Sequence, residues 1–210
     1  MSTTRTRRAA LVAATVTAAL VLAACGDGDS GDASHGSSHG TSSSPSSSTA
    51  AAHNAQDVSF AQGMIPHHRQ ALEMAELATD RASSAEVKDL AARIEKAQDP
   101  EIKTMSGWLK SWGEEVPEAG ASMPGMDHGA SSGMPGMMDD ADMETLGKAS
   151  GKGFDTMFLT MMVEHHEGAV DMAETEKAKG RYAAATAMAD DIITGQTAEI
   201  TEMNKLLGKS

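Results

Sequence analysis

Two stretches of the chain, related by a constant offset of 98 residues, carry adjacent histidines in the same apolar setting. The first reads F-A-Q-G-M-I-P-H-H-R-Q-A-L-E-M-A-E from Phe60; the second reads F-L-T-M-M-V-E-H-H-E-G-A-V-D-M-A-E from Phe158. The register persists downstream, where Ile94, Gln98, Glu101, Ile102 and Met105 recur as Ile192, Gln196, Glu199, Ile200 and Met203. Repetition of this kind predicts two helical hairpins that complete one core together, because neither hairpin buries its apolar face alone. A pseudo-twofold between them would bring His67 and His68 toward His165 and His166 at one central site.

The expected architecture is therefore all-α, a four-helix bundle built from two repeated hairpins. Ala, Leu, Met, Glu and Lys dominate four segments, about Asp57 to Thr79, Ala85 to Ser111, Phe154 to Lys179 and Tyr182 to Leu207. A polar break at Asp80 to Ser84 separates the first two, and Gly180 stops the third. Pro66 either kinks a helix already begun or marks its start, and Pro100 is a second proline inside a helical pattern. Between the hairpins, at about residues 113–150, four glycines and two prolines from Met123 to Met138 argue against regular helix.

The first 24 residues read as a signal peptide: Arg5, Arg7 and Arg8 precede an apolar stretch too short for a secure membrane span. The end of that stretch, L-A-A-C, has the form of a bacterial lipobox, making Cys25 the expected site of acylation, palmitate included; the alternative is a free thiol beside a spent leader. Cys25 is the sole cysteine, so a disulfide within the chain is excluded. Residues 25–53 are rich in Ser, Gly and Thr without apolar periodicity, a flexible tether whose His35, His39 and His53 read as uncommitted. The expected localisation is extracytoplasmic, anchored to the membrane through the lipid, with residues 54–210 as the folded domain.

Removing the leader takes three of the 17 basic residues and no acidic ones, leaving 14 against 30 and a formal charge of −16. A field of that sign disfavours nucleic acid and anionic surfaces and suits cations.

Met64, His67, Ala71 and Met74 are spaced three, four and three apart, as are Met162, His165, Ala169 and Met172, so each quartet shares a helical stripe. His68 and His166 sit about 100° further round. Imidazoles here suit a metal or a hydrogen-bonded structural role, and the four methionines suit core packing as readily as ligation. The interhairpin segment repeats M-P-G-M, placing Met123, Met126, Met134 and Met137 around His128. Thioethers with imidazoles favour copper, Cu(I) above all, over calcium or magnesium. Glu73 and Asp171 could orient imidazoles, although a solvated face is simpler, while Asp57 and Asp155 could cap helices or hold a histidine.

Phe60, Met64, His67, His68, Ala71, Met74 and Ala75, with Phe158, Met162, His165, His166, Ala169, Met172 and Ala173, match both copies of a signature F-x3-M-x2-H-H-x2-A-x2-M-A. In this the chain resembles the bacterial DUF305 family over about residues 54–207. The resemblance implies a ferritin-like four-helix fold, and some members are associated with copper binding or resistance. It does not import di-iron chemistry, because no E-x-x-H occurs, and no H-E-x-x-H protease motif is present.

The leading expectation is an extracytoplasmic lipoprotein that binds or buffers copper, using His67, His68, His165 and His166, with the Met-rich loop as a capture or transfer arm. A metal-independent structural or interaction lipoprotein, with a periplasmic or cell-surface protein as partner, is the alternative. A metal-dependent oxidoreductase is the third reading; enzyme activity is the lesser expectation, since no serine or cysteine nucleophile has a recognisable setting.

Overall fold

The computed structural model describes residues 52–118 and 133–209. Five helices follow in order: α1 (Ala55–Arg81), α2 (Ala85–Trp112), α3 (Asp140–Lys148), α4 (Gly151–Lys179) and α5 (Ala183–Leu206). α1 packs on α2 and α4 on α5, and the two hairpins meet through α1 and α4. The four long helices are thus the bundle anticipated from the repeat, and α1 and α4 are its inner pair. No described helix is long and apolar enough to cross a membrane.

Pro66 and Pro100 both lie inside continuous helices, so Pro66 does not mark the start of α1. That start is fixed by Asn54, whose side chain accepts hydrogen bonds from Gln56 N and Asp57 N while the Asp57 carboxylate accepts from Asn54 N.

The expectation of an irregular interhairpin segment holds only in part. α3 forms there because Asp139 and Asp142 make a second capping box and Leu146 inserts wholly into the core, a local signal that outweighs the Gly and Pro around it. Met138 is also buried and joins the same cluster. Residues Met123, Met126 and His128 lie outside the described residues, as does Cys25.

The repeat is visible in the packing. One apolar cluster gathers Phe60 and Met64 of the first hairpin with Ala169, Ala173 and Ile192 of the second. Its counterpart gathers Phe158 and Met162 with Ala71, Ala75 and Ile94. Each hairpin therefore supplies the Phe and Met knobs that fill the alanine-lined hollow of the other.

Asp57 and Asp155 perform a matching exchange at the turns. The Asp155 carboxylate accepts from Ser83 N at 2.9 Å and Ser84 N at 3.1 Å, at the head of α2. Asp57 accepts from Arg181 N at 3.0 Å and Tyr182 N at 2.9 Å, at the head of α5. Each carboxylate thus caps the partner hairpin and satisfies amides that its own helix leaves open. Neither holds a histidine, which corrects that alternative.

The exchange is not fully symmetric. Glu176, whose counterpart in the first hairpin is Ala78, is fully buried against Asp57. Burial, then the neighbouring Asp57 carboxylate, push its carboxyl up to about 8, so it is protonated at neutral pH. Burial would raise Asp57 too, but the protonated Glu176 beside it and hydrogen bonds from the amides of Tyr182, Asn54 and Arg181 outweigh it and hold Asp57 below its usual value.

Candidate metal centre

The four paired histidines lie on the inner helices, each no more than 1 % exposed. The His67 and His165 rings face each other with centroids 3.8 Å apart and planes inclined at 42°. Across the pseudo-twofold, the stripe that sequence spacing defines on each helix meets its own copy.

His68 and His166 turn outward toward the second helix of their own hairpins. His68 Nε2 lies 2.7 Å from Glu101 Oε2, and His166 Nε2 lies 2.7 Å from Glu199 Oε2. Both carboxylates accept, so each Nε2 carries a proton, while Nδ1 of each ring has no hydrogen-bond partner. Glu101 and Glu199 are the functional residues that sequence reasoning passed over, although both stood in the repeat. Glu73 and Asp171, offered for that role, are solvent-exposed.

His67 is held differently. Its Nε2 donates to the carbonyl of Pro135 at 3.1 Å, which leaves Nδ1 with the lone pair. His165 finds no partner at either nitrogen. Of the eight ring nitrogens in the cluster, five are buried without a hydrogen bond: Nδ1 of all four rings and Nε2 of His165. Buried polar atoms are ordinarily paired, so a concentration of unpartnered ring nitrogens in one layer marks it as a place where an ion or ordered water fits.

Electrostatics keep those lone pairs available. Burial, reinforced by the neighbouring His68 and His166 and only partly offset by the Pro135 hydrogen bond, lowers His67 to about 3. Burial, then His67, His166 and His68, push His165 well below its ordinary value. Both rings are neutral at physiological pH, the state in which imidazole binds a metal.

A strap from the interhairpin segment closes one side of the layer. Gln70 clamps it through two bonds to the Met138 backbone, Nε2 to the carbonyl and the amide to Oε1, each 2.8 Å. Gly136 has φ 75°, and a Cβ there would lie 2.5 Å from Glu164 O and 2.9 Å from His165 O. A Cβ on Gly168 would strike the Pro135 carbonyl and lie 2.7 Å from Gly136 N. Only two glycines facing each other let the strap descend far enough for Pro135 to reach His67.

The methionines flank this layer. Met64, Met74 and Met162 are fully buried in the two apolar clusters, as core packing requires. Met172 is half-buried, and its Cε lies 3.0 Å from where a Cβ on Gly63 would stand, with Met134 Sδ 3.8 Å from the same point. Gly63 therefore makes room for one thioether from α4 and one from the strap. Met137, three residues after Met134 on the strap, is also half-buried. His53 stacks on Trp112 with centroids 4.4 Å apart, an aromatic contact rather than a tether group left idle.

Among the described residues, no three His, Cys, Asp or Glu side chains converge as a ligand set.

A family model described as "Domain of unknown function (DUF305)" matches residues 57–207. A DUF305 protein from Streptomyces coelicolor, described as secreted, superposes with TM-score 0.65 at 34% identity, over 73% of this chain and 93% of that one. CopM in its Cu(II)-bound form gives TM-score 0.62 at 37% identity, over 72% and 95% of the two chains. Its Cu(I)-bound form gives 0.57 at 34%, over 71% and 94%. Among curated proteins none matches.

Proposed function

The chain belongs to the DUF305 family, and from that premise we propose that its central imidazole layer binds copper. The observation that carries the proposal is the set of five buried ring nitrogens without partners, four of them Nδ1 atoms of His67, His68, His165 and His166. The similarity to CopM, solved with Cu(II) and with Cu(I), supports that choice of ion.

His67 and His165 would hold the ion from facing helices, with the Nδ1 atoms of His68 and His166 in the same layer. Glu101 and Glu199 keep the latter two rings in the tautomer that presents Nδ1, and their negative charge makes those nitrogens better donors. Met64, Met74, Met162 and Met172, with Met134 from the strap, offer the thioethers that prefer Cu(I). Bound copper would be a cargo to be stored or passed on, and His67 and His165, lowered by burial, supply nitrogens that stay deprotonated.

The wider assignment is a copper-buffering lipoprotein outside the cytoplasm, held by a lipid on Cys25. Met123, Met126, His128, Met134 and Met137 form its capture arm. A secreted relative supports the compartment. A structural role would suit the Nε2 atoms of His67, His68 and His166, which are hydrogen-bonded, but it leaves the four Nδ1 atoms and Nε2 of His165 without partners.

An anaerobic Cu(I) competition titration decides between the two. The purified protein is compared with a variant carrying His67→Ala and His165→Ala and with one carrying Met123→Leu, Met126→Leu, Met134→Leu and Met137→Leu. Loss of tight binding in the first variant, with its helical circular dichroism intact, is the expected result. Undiminished binding there, or loss only in the second, would move the site out of the bundle.

A further inference from the structure

Two buried amides lie one helical turn from the carboxylates that hold His68 and His166. Gln98 on α2 is 2 % exposed and Gln196 on α5 is 5 % exposed. Neither atom of the Gln98 amide has a hydrogen-bond partner, and Gln196 Oε1 has none. They are copies of each other at the 98-residue offset. Each lies one turn before the carboxylate that bonds a histidine, Glu101 or Glu199, and residues three apart on a helix share a face. Leucine would fill nearly the same volume with no polar atom to satisfy, so packing does not explain an amide at either position. A polar ligand or ordered water beside them does.

Resting on the copper reading, we propose that Gln98 and Gln196 belong to the central site and supply amide oxygens that favour Cu(II) over Cu(I). Carbonyl oxygen is a hard donor, suited with imidazole to the oxidised ion; thioether is soft and suited to the reduced one. The layer then has two kinds of flank. The apolar clusters carry the methionines, and α2 and α5 carry the amides, so a change of oxidation state moves the ion's preference from one donor set to the other without rebuilding the fold.

The test uses the purified protein and the variants Gln98→Leu, Gln196→Leu and their combination, with the single variants retained in case the double fails to fold. Cu(II) affinity is read by competition and by the electron paramagnetic resonance spectrum, Cu(I) affinity by anaerobic competition, and metal-free melting by calorimetry. The expected result is a Cu(II) affinity lower by about tenfold or more, the scale of loss for groups supporting a metal. Cu(I) affinity stays within about twofold, and the metal-free protein melts higher, because removing an unpartnered amide relieves its desolvation cost. Unchanged Cu(II) affinity with a lower melting temperature would make the amides structural and overturn the inference. Equal losses for both ions would overturn the selectivity. A parent protein that binds neither ion would overturn the copper reading along with the inference, whereas copper binding that the variants leave unaltered overturns the inference alone.

Discussion

Replacing Gly168 by alanine is expected to destabilise the domain, although alanine is the better helix former. An interior Gly→Ala change in an open helical position gains about 0.5–1 kcal/mol. At Gly168 the new Cβ would stand 2.7 Å from Gly136 N and nearer still to the Pro135 carbonyl. Ordinary contact requires roughly 3.5 Å, so the strap must retreat by about 1 Å. That retreat breaks the His67 bond to Pro135 and strains the two Gln70 bonds to Met138. One bond lost at about 1 kcal/mol and two weakened by about half of that each, less the helical gain, leave a net loss of about 1–1.5 kcal/mol. Gly107 and Gly195 serve as controls, since both are helical and a Cβ at either meets nothing within 4 Å. Thermal unfolding of the metal-free protein should show Gly107→Ala and Gly195→Ala melting slightly higher than the parent and Gly168→Ala lower. Amide exchange should rise in residues 134–138 of the last. A Gly168→Ala protein as stable as the two controls would refute the strap contact.

Other expectations follow from the buried charges. His67, lowered from 6.5 to about 3, binds fewer protons folded than unfolded between those values, and His165 is shifted the same way. Their contribution is whole above pH 6.5 and is lost as pH falls toward 3, by on the order of a few kcal/mol; His67→Gln should flatten that limb of an unfolding series. Glu176, raised from 4.5 to about 8, has the opposite sign. The folded state holds its proton while the unfolded chain gives it up, so stability declines as pH rises from about 4.5 to 8, and Glu176→Gln should remove that decline. Asp155→Ala strips acceptors from the amides of Ser83 and Ser84 and should cost about 1–2 kcal/mol in urea denaturation, as loss of a helix cap does. Glu101→Ala with Glu199→Ala should keep the fold but weaken copper binding by about 10–100-fold, measured by competition, with substantial recovery in the glutamine pair.

The offset of 98 residues made the bundle legible, because a duplicated apolar face has few ways to bury itself except against its copy; that His67 faces His165 is read from the structure alone. What escaped the sequence was of two kinds. Glu101 and Glu199 were present in the repeat, but a glutamate on a helix is usually solvated, and nothing in spacing alone distinguishes one that reaches across to an imidazole on the neighbouring helix. The strap was hidden for another reason. The bond from His67 goes to a main-chain carbonyl, and its approach depends on Gly136 and Gly168, which lie 32 residues apart and outside either motif. α3 had a local signal in the Asp139 and Asp142 box that the surrounding glycine and proline obscured. The asymmetry at Glu176 follows from a single departure from the repeat, where the first hairpin has Ala78.

The central claim concerns which atoms meet the ion, and anomalous scattering at the copper edge from copper-loaded crystals tests it directly. The account predicts an anomalous peak within bonding distance of Nδ1 of His67 or His165, with His68 and His166 still bonded through Nε2 to Glu101 and Glu199. Copper found only on surface carboxylates or on the interhairpin methionines, above an empty or water-filled histidine layer, would contradict it.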